Sequence, residues 1–171
     1  MSIHDEHPFL PPEGERSPVR RLRGRLASPV TVFTAEHAGR QAGLTVSSVL
    51  VVDGEPGAII AVLDPLADLR DVLQAAGTAV LNVLSWPDRQ LAEAFGYQAP
   101  APGGPFRLAE WTPTRWGPAL TGATAWAGCR LSERPFVEVG WGLQVQLDIE
   151  QVTIGDDGEA MVHHRGRYLR L

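Results

Sequence analysis

The longest alternating run in this chain, residues 136–154, is the feature that most constrains its fold. Apolar side chains recur at every second position from Val137 to Ile149, and mostly polar residues or glycines lie between them. A period of two is typical of a β-strand with one buried face. The alternation shifts near Gln151, which indicates a β-bulge or a strong bend. We therefore expect one long, bent strand in a mainly β fold.

Shorter runs predict further strands at residues 30–35, 42–52, 58–63, 78–84, 123–131 and 160–163. Polar or glycine-rich turns separate several of them, at residues 36–39 and 53–57, and a hairpin turn is expected at residues 155–158. A basic tail, residues 164–168, follows the last strand. The pattern favours a small closed β-barrel that begins as an antiparallel meander.

Two helical patterns interrupt the strands. Asp64 followed by Pro65 is typical of a helix start, with the aspartate as N-cap and the proline at the first position. Apolar residues then recur at helical spacing, namely Leu66, Leu69, Val72, Leu73 and Ala76. Gly77 is expected to end this helix, and a second helix is expected at residues 87–95. The fold class is thus mainly β, with two or three short helices beside the barrel.

The composition excludes several classes of function. A net charge of −5 and the lack of a long basic stripe argue against nucleic acid as a partner. All fifteen basic residues are arginine, so a catalytic lysine is excluded. The lone Cys129 can form no internal disulfide and is expected in the core. No segment approaches the ~20 apolar residues of a membrane span, so a cytoplasmic protein without membrane contact is expected.

The beginning of the chain carries few apolar side chains. We expect residues 1–24 to form a flexible N-terminal arm and residues 25–171 to form the folded domain. Residues 20–25 make a short basic patch, which fits a helical lead-in, a phosphate contact or a solvated face. Residues 97–107 are rich in proline, alanine and glycine, which predicts a loop that closes over a site or reaches across an interface.

A run of small and hydroxylated residues, 42–49, is the strongest candidate for a binding site. Gly43 lacks a side chain that would keep a ligand from the backbone, and Thr45, Ser47 and Ser48 carry short hydrogen-bonding groups. The same residue types are also ordinary on the solvated face of a barrel strand. From the residues alone, a ligand cradle and a half-polar strand both remain open.

Four segments occur in an informative order. They are residues 29–34 with 42–48, residues 79–84 followed by 90–95, residues 123–131, and residues 164–168. Together they resemble the flavin reductase-like family of split-barrel proteins. The resemblance implies a split β-barrel that binds FMN or FAD in a groove at the barrel edge. It also implies NAD(P)H as co-substrate, a homodimer whose partner helps wall the groove, and, for some members, a partner oxygenase.

The resemblance also implies roles for single residues. Those expected at the cofactor are Thr45, Val46, Ser47, Ser48, Leu63, Asp64 and Asn82. The first four would hold the ring edge and ribityl chain, whereas Asn82 also fits a strand residue bonded to a neighbouring turn. Hydride would pass from the nicotinamide to flavin N5, with the protein supplying orientation and a shielded face. This agrees with a sequence that has no nucleophile motif, paired catalytic carboxylates or metal-ligand spacing.

One departure from the family pattern concerns the flavin phosphate. The family often has Ser or Thr at a helix start that receives the phosphate, and this chain has Asp64 and Asp68 there. An arginine would then have to meet the phosphate. The candidates are Arg40, Arg70 and Arg107, each of which also fits an ordinary surface arginine.

A second departure concerns the nicotinamide. Many family reductases have Gly-Asp-His, with the histidine near the nicotinamide, where this chain has Gly140-Trp141-Gly142. Trp141 would stack on a ligand ring or fill the dimer core, and alternation with Val139 and Leu143 on one face favours the core. His164 matches a histidine near the family's C-terminus and is the one candidate catalytic residue. His163 and His164 also fit a cap on the last strand.

The functional hypothesis is an oxidoreductase that uses NAD(P)H to reduce FMN or FAD. The alternative is a split-barrel protein that holds a flavin or another planar ligand without catalysis, which the missing Asp-His pair favours. A third class is an interaction protein whose barrel has lost its ligand. Its sign would be a groove blocked by Trp126 or Trp141.

Overall fold

The structure is a computed structural model that describes residues 15, 17–134 and 136–171. Most of the predicted arm, residues 1–14 and 16, lies outside this range. The described helices are α1 (Pro18–Gly24), α2 (Asp68–Ala76) and α3 (Arg89–Phe95). The described strands are β1 (Ser28–Pro29), β2 (Thr31–His37), β3 (Arg40–Val46), β4 (Val49–Val52), β5 (Ala58–Leu63), β6 (Thr78–Val83), β7 (Trp111–Thr114), β8 (Gly117–Leu120), β9 (Ala125–Leu131), β10 (Val137–Val139), β11 (Gly142–Ile154), β12 (Met161–His164) and β13 (Arg167–Arg170). Short 3-10 turns cover Trp86–Asp88 and Pro105–Leu108.

The largest sheet curls so that its two edges meet. Its strands follow the order β3-β2-β6-β9-β11-β5-β4, and β10 pairs with β11 beside this path. The edge strands β3 and β4 are consecutive in the chain and are joined only by Ser47 and Ser48. A sheet whose first and last strands are linked by two residues must bend into a half-barrel. The prediction of a mainly β split barrel with short helices is therefore confirmed.

The inside of the curled sheet is filled by apolar side chains and closed by α2. Phe33 and Leu147 are fully buried there, and α2 contributes Leu69 and Leu73. The helix buries one stripe because these residues recur at helical spacing. Gly77 ends α2 in a left-handed conformation (φ 69°), as the sequence predicted. Each large apolar side chain buried in this way stabilises the fold by about 1.5–3 kcal/mol.

A second layer covers the outer face of β2, β3 and β6. Helix α3 buries Leu91 and Phe95 against Val30 and Val32. The β7–β8 hairpin packs beside it on β2 and β6. The three-stranded sheet β1-β12-β13 completes this layer and contributes Met161. Helix α3 thereby supports β3 from outside, next to the candidate site.

Two predicted strands are broken in the structure. The strand expected at residues 42–52 is two strands, β3 and β4, because its halves pair with different partners, β2 and β5. The strand expected at residues 136–154 is a hairpin that turns at Gly140 and Trp141, with Gly140 at a φ of 57°. The alternation does not reveal this turn, because apolar residues continue at every second position through it. They lie on the exposed face before the turn, as Val139 does, and on the buried face after it, as Leu143 does. The expected bulge is confirmed between Ile149 and Gln151.

Helix α2 begins at Asp68 and not at Asp64. The Asp64 carboxylate accepts a hydrogen bond from the Leu66 N–H (2.9 Å), and its carbonyl oxygen accepts one from the Ala67 N–H (3.1 Å). These bonds form a separate turn before the helix, on which Leu66 is 92% exposed. The predictions that Asp64 caps the helix and that Leu66 packs are wrong. Aspartate stabilises a turn with the same side-chain acceptor that it uses in a cap.

The C-terminal segment also differs from its prediction. Strands β11 and β12 belong to different sheets, so residues 155–158 form a connection and not a hairpin turn. The expected basic tail is itself a hairpin, in which β12 turns at Arg165 and Gly166 into β13. Arg165 and Gly166 both have positive φ values, 51° and 81°, which suit a tight turn. Because β12 also pairs with β1, the C-terminal hairpin lies beside the start of the barrel domain at Ser28 and Pro29.

Helix α1 accounts for most of the basic patch at residues 20–25 and confirms the helical alternative. The Ser17 hydroxyl accepts a hydrogen bond from the Arg20 N–H (3.2 Å) and so caps the helix. None of the residues of α1 is buried. Among the helices that the structure describes, none is long and apolar enough to cross a membrane.

Candidate functional site

Ser47 and Ser48, which join the edge strands β3 and β4, are called the Ser47–Ser48 step below. Their side-chain hydroxyls do not contribute hydrogen bonds to the described part of the fold. Ser47 is half-buried and Ser48 is exposed, and neither hydroxyl has a hydrogen-bond partner among the described residues. The backbone around them is held. The Ser48 carbonyl oxygen accepts from the Val62 N–H (3.0 Å), and the Val46 carbonyl oxygen accepts from the Thr31 hydroxyl (2.6 Å). The step therefore combines an ordered backbone with two unused hydroxyls.

The remaining residues of the predicted cradle are engaged inside the protein. The Thr45 hydroxyl donates to the Ala92 carbonyl oxygen in α3 (2.7 Å), and the Val46 side chain is buried in the core. Gly43 serves the same packing, because a Cβ there would lie 2.5 Å from the Phe95 ring. Helix α3, and not a ligand, makes the close approach that the glycine allows. Of the predicted cradle, the side chains left for a ligand are Ser47 and Ser48.

The segment after β5 is acidic. Leu63 is buried at the end of the strand, whereas Asp64 and Asp68 are exposed. Arg40 forms an ion pair with Asp68 (3.2 Å), and Asp64 has no ion pair among the described residues. Burial raises the pKa of Tyr97, and the charges of Asp68 and then Asp64 raise it further. A phosphate placed here would face an uncompensated carboxylate.

Asn82 is part of the scaffold beneath the outer layer. Its side chain is 0% exposed. The amide nitrogen donates to the Val32 carbonyl oxygen (3.0 Å) and to the Thr34 hydroxyl (3.2 Å), and the amide oxygen accepts from the Leu120 N–H (2.7 Å). The alternative of a strand residue bonded to a neighbouring turn is met only in part, because the partners of Asn82 lie on strands and not in a turn. Its hydrogen bonds join β6 to β2 and to the end of β8.

The three arginines predicted to meet a phosphate lie on different elements. Arg40 begins β3 and is engaged by Asp68. Arg70 lies on the exposed side of α2, and Arg107 lies in the 3-10 turn Pro105–Leu108. Neither Arg70 nor Arg107 forms an ion pair among the described residues. Their role at a phosphate stays a prediction.

Trp126 and Trp141, the two side chains that would block the ligand groove in an interaction protein, lie in different surroundings. Trp126 packs against Trp116 on the outer side of the sheet, with ring centroids 6.3 Å apart. Trp141 is 92% exposed at the β10–β11 turn. Register places this turn next to the acidic segment, because Leu143 pairs with Leu63. The expectation that Trp141 shares a face with Val139 and Leu143 is wrong, since Trp141 is part of a turn.

The two histidines occupy the end of β12. His163 pairs with Ser28 of β1 and contacts Tyr168, with ring centroids 5.3 Å apart. Burial lowers the pKa of His163, and the charges of Arg23 and His164 lower it further. His164 is half-buried and is the last residue of β12 before the turn. Its position agrees with the strand-end alternative, and a catalytic role for it stays a prediction.

The contact between the basic residues 20–25 and the basic residues 164–168 is not evident in the sequence. In the structure the Arg165 N–H donates a hydrogen bond to the Gly24 carbonyl oxygen (2.9 Å). Helix α1 and the β12–β13 turn therefore form one surface. The available signal was that residues 20–25 and 164–168 are both arginine-rich in a chain of net charge −5.

Comparison with known proteins agrees with this architecture. A relative from Stutzerimonas stutzeri (strain A1501), named FMN reductase (NADH) RutF, is 29% identical over 154 residues, which are 90% of this chain and 87% of that protein. The 4-hydroxyphenylacetate 3-monooxygenase reductase component of Pseudomonas aeruginosa is 25% identical over 161 residues, which are 93% of this chain and 94% of that protein.

Solved structures and a family model extend the comparison. The NADH:FAD oxidoreductase SgcE6 of Streptomyces globisporus, in complex with NAD and FAD fragments, matches with a TM-score of 0.80 and 22% identity. The match covers 95% of this chain and 96% of that chain, and it establishes the shared fold. The model of the flavin reductase like domain matches residues 23–171. Because that match spans most of the chain, this protein belongs to the flavin reductase-like family.

Proposed function

We propose that this protein is a flavin reductase that uses NADH to reduce FMN bound at the Ser47–Ser48 step. FAD is the alternative flavin, and NADPH is the alternative nicotinamide substrate. One observation carries the proposal: two hydroxyls that have no hydrogen-bond partner in the described part of the chain lie where the edges of a flavin reductase-like barrel meet. The names of the relatives support FMN, FAD and NADH as the ligands.

The residues around the step fit a flavin ring and ribityl chain. Ser47 and Ser48 donate hydrogen bonds to the ligand, and the Thr45–Ala92 bond holds β3 so that the ligand meets an ordered backbone. Asp64, directly after β5, lines the groove beside Ser48, whose carbonyl oxygen accepts from the Val62 N–H, and Leu63 packs beneath it in the core. His164 is the candidate for a contact with the nicotinamide. When bound, the flavin supplies the redox chemistry by accepting hydride, and the protein orients and shields it.

A homodimer is part of the same proposal. Strand pairing places Leu50, Val52, Val62, Val137 and Val139 together on the outer side of the sheet. Leu50 is 65% exposed and Val137 is 48% exposed. Apolar strips of this kind mark protein contacts. Light scattering of the purified protein tests it: the wild type is expected to be a dimer and Leu50→Glu/Val137→Glu a monomer. A dimer that survives both charges would contradict this interface.

The names of the relatives support a partner protein for the proposed reductase. The Pseudomonas aeruginosa relative is named as the reductase component of a monooxygenase, which supports a separate oxygenase as the consumer of reduced flavin. The proposal places the reductase in the cytoplasm. It assigns residues 25–171 to the flavin-binding domain and residues 1–24 to an N-terminal arm.

The test is a titration of the purified protein with FMN by visible absorption, followed by NADH oxidation with FMN present. The wild type is expected to bind FMN and oxidise NADH. Loss of two hydrogen bonds in Ser47→Ala/Ser48→Ala is expected to weaken FMN binding by roughly tenfold or more. The matched control, Thr112→Ala/Thr121→Ala, removes an exposed hydroxyl pair 2.9 Å apart and is expected to bind normally. A wild type that binds no flavin and oxidises no NADH would contradict the proposal.

A flavin-binding or planar-ligand-binding protein without catalysis is the second candidate. The observation that favours it is the exposed turn at Gly140-Trp141-Gly142, where many family reductases have Gly-Asp-His and where Gly142 takes the place of the histidine beside the nicotinamide. In the same experiment this candidate predicts FMN binding with no NADH oxidation. The two functions are therefore separated by one measurement.

A further inference from the structure

Helix α1 and the C-terminal hairpin build one arginine-rich surface. Arg20, Arg21, Arg23 and Arg25 lie on α1 or directly after it, and all are exposed. Arg165 lies in the β12–β13 turn, whose backbone is hydrogen-bonded to Gly24. These five arginines are called the terminal arginine surface below. The charge of Arg23 reaches β12, where it lowers the pKa of His163 in addition to the larger effect of burial.

The charge of the terminal arginine surface is not neutralised within the described part of the chain. None of its five arginines forms an ion pair there. Several arginines elsewhere are paired, as in Arg40–Asp68, Arg89–Glu93, Arg130–Glu150 and Arg170–Glu159, and those without an ion pair among the described residues, Arg70, Arg107 and Arg134, lie on separate elements. Clustered like charges repel one another and raise the local concentration of anions. In a chain of net charge −5, this concentration of unpaired cations points to an anionic ligand.

Strand pairing connects the surface to the Ser47–Ser48 step. Strand β12 pairs with β1, with His163 opposite Ser28. Strand β1 leads directly into β2, whose first residue, Thr31, donates its hydroxyl to the Val46 carbonyl oxygen (2.6 Å). Val46 is the residue before the step. A continuous path of paired strands thus links the arginines to the unused hydroxyls.

Arginine is well suited to phosphate, because its planar guanidinium donates two parallel hydrogen bonds to two phosphate oxygens. The acidic segment at Asp64 and Asp68 is unsuited to it. We infer that the terminal arginine surface binds the phosphate groups of the nucleotide ligands, either the flavin phosphate or the pyrophosphate of the dinucleotide. The identity of these nucleotides rests on the proposed function, whereas the phosphate chemistry rests on the arginines alone.

The first experiment tests phosphate binding without any flavin. Inorganic pyrophosphate is expected to raise the melting temperature of the wild type, because a ligand that binds the folded state stabilises it. The shift is expected to disappear in Arg23→Gln/Arg165→Gln. The matched control is Arg89→Gln/Arg134→Gln, which removes the same amount of charge from two exposed arginines outside this surface. This control is expected to keep the full shift.

The second experiment identifies the source of the phosphate. Flavin fluorescence quenching gives affinities for FMN and for riboflavin, which lacks the phosphate, and NADH fluorescence gives the affinity for the dinucleotide. If the surface binds the flavin phosphate, Arg23→Gln/Arg165→Gln weakens FMN by roughly tenfold or more and leaves riboflavin unchanged. If it binds the dinucleotide, NADH weakens by a similar factor and both flavins are unchanged.

Several outcomes would overturn the inference. One is an Arg23→Gln/Arg165→Gln variant with an unchanged pyrophosphate shift and unchanged nucleotide affinities. Another is an equal loss in the control variant. A third is that vesicles of phosphatidylglycerol and phosphatidylcholine bind the wild type but not the variant, with nucleotide affinities unchanged, which would assign the surface to a membrane. If neither flavin binds the wild type, the proposed function fails, and the pyrophosphate shift still decides the inference.

Discussion

The Thr45 hydroxyl donates a hydrogen bond of 2.7 Å to the carbonyl oxygen of Ala92 and so fastens edge strand β3 to helix α3. Gly43 allows the same approach, because it faces the Phe95 ring. The threonine of a hydroxyl-rich stretch therefore supports the barrel edge, whereas the hydroxyls of the two serines after it have no hydrogen-bond partner among the described residues.

Thr45→Val keeps the shape of the side chain and removes this hydrogen bond. We expect a loss of about 1–2 kcal/mol in the free energy of unfolding, because the Ala92 carbonyl oxygen loses its side-chain donor. Urea unfolding measures the loss. FMN binding is expected to persist at saturating flavin. Unchanged stability together with abolished FMN binding would show that the Thr45 hydroxyl serves the ligand instead.

Asn82→Ala is expected to be more damaging. It leaves the buried Leu120 N–H without its acceptor and removes two donations to β2, so a loss of about 2–3 kcal/mol is expected. Chemical denaturation of the two proteins measures it. Thr112→Ala, at an exposed hydroxyl, is the control and should stay within about 0.5 kcal/mol of the wild type. Equal stability of Asn82→Ala and the control would refute the scaffold role.

Glu150 makes part of the stability dependent on pH. Hydrogen bonds from the Trp116 indole (2.6 Å) and from Arg130 (2.7 Å) hold the pKa of its carboxyl below the usual 4.5. The folded-state pKa is therefore lower than the unfolded one. The stabilisation is complete above the ordinary pKa and is lost as the pH falls through the folded-state value.

The corresponding experiment compares the wild type with Glu150→Gln in urea unfolding across the acidic range. The wild type is expected to be the more stable protein near neutral pH, and the difference should shrink on acidification. Asp157→Asn, at an exposed carboxyl, is the control and should show no such trend. A difference that stays constant with pH would mean that the charge of Glu150 does not contribute.

Cys129 is expected to be inert toward thiol reagents in the folded protein. Burial raises the pKa of its thiol to about 12, and the charges of Glu150 and Asp148 add to this effect. Almost no reactive thiolate is then present near neutral pH. Reaction with a colorimetric disulfide reagent should be absent in buffer and complete in denaturant. Rapid labelling of the folded protein would contradict the burial of this side chain.

Trp141→Ala tests the two roles considered for the exposed indole. The exposed indole lies in the turn directly after Val139 of the proposed dimer interface, so we expect the homodimer to bury it and Trp141→Ala to raise the dimer dissociation constant by roughly tenfold or more. Ile154→Ala, at an exposed apolar residue on the far end of β11, is the control. An unchanged dimer with a raised KM for NADH would assign Trp141 to the ligand instead.

Much of the fold could be predicted because its signals are local. Neighbouring residues predict the strands β5, β6 and β9 and the end of α2 at Gly77, and the structure confirms all four. The errors arose where a local pattern fits two structures. An aspartate before a proline fits both a helix cap and a turn, and an apolar alternation continues through the turn at Gly140 and Trp141.

The sequence by itself determined the class of fold, the family and the hydroxyl-rich stretch at residues 42–49, because periodicity, turns and motif order are properties of adjacent residues. Tertiary structure alone decided how those groups are used. It directed the Thr45 hydroxyl to Ala92, left Ser47 and Ser48 at the meeting of two sheet edges, and joined Gly24 to Arg165. Such contacts depend on which distant strands pair, and that is settled only when the whole core packs together.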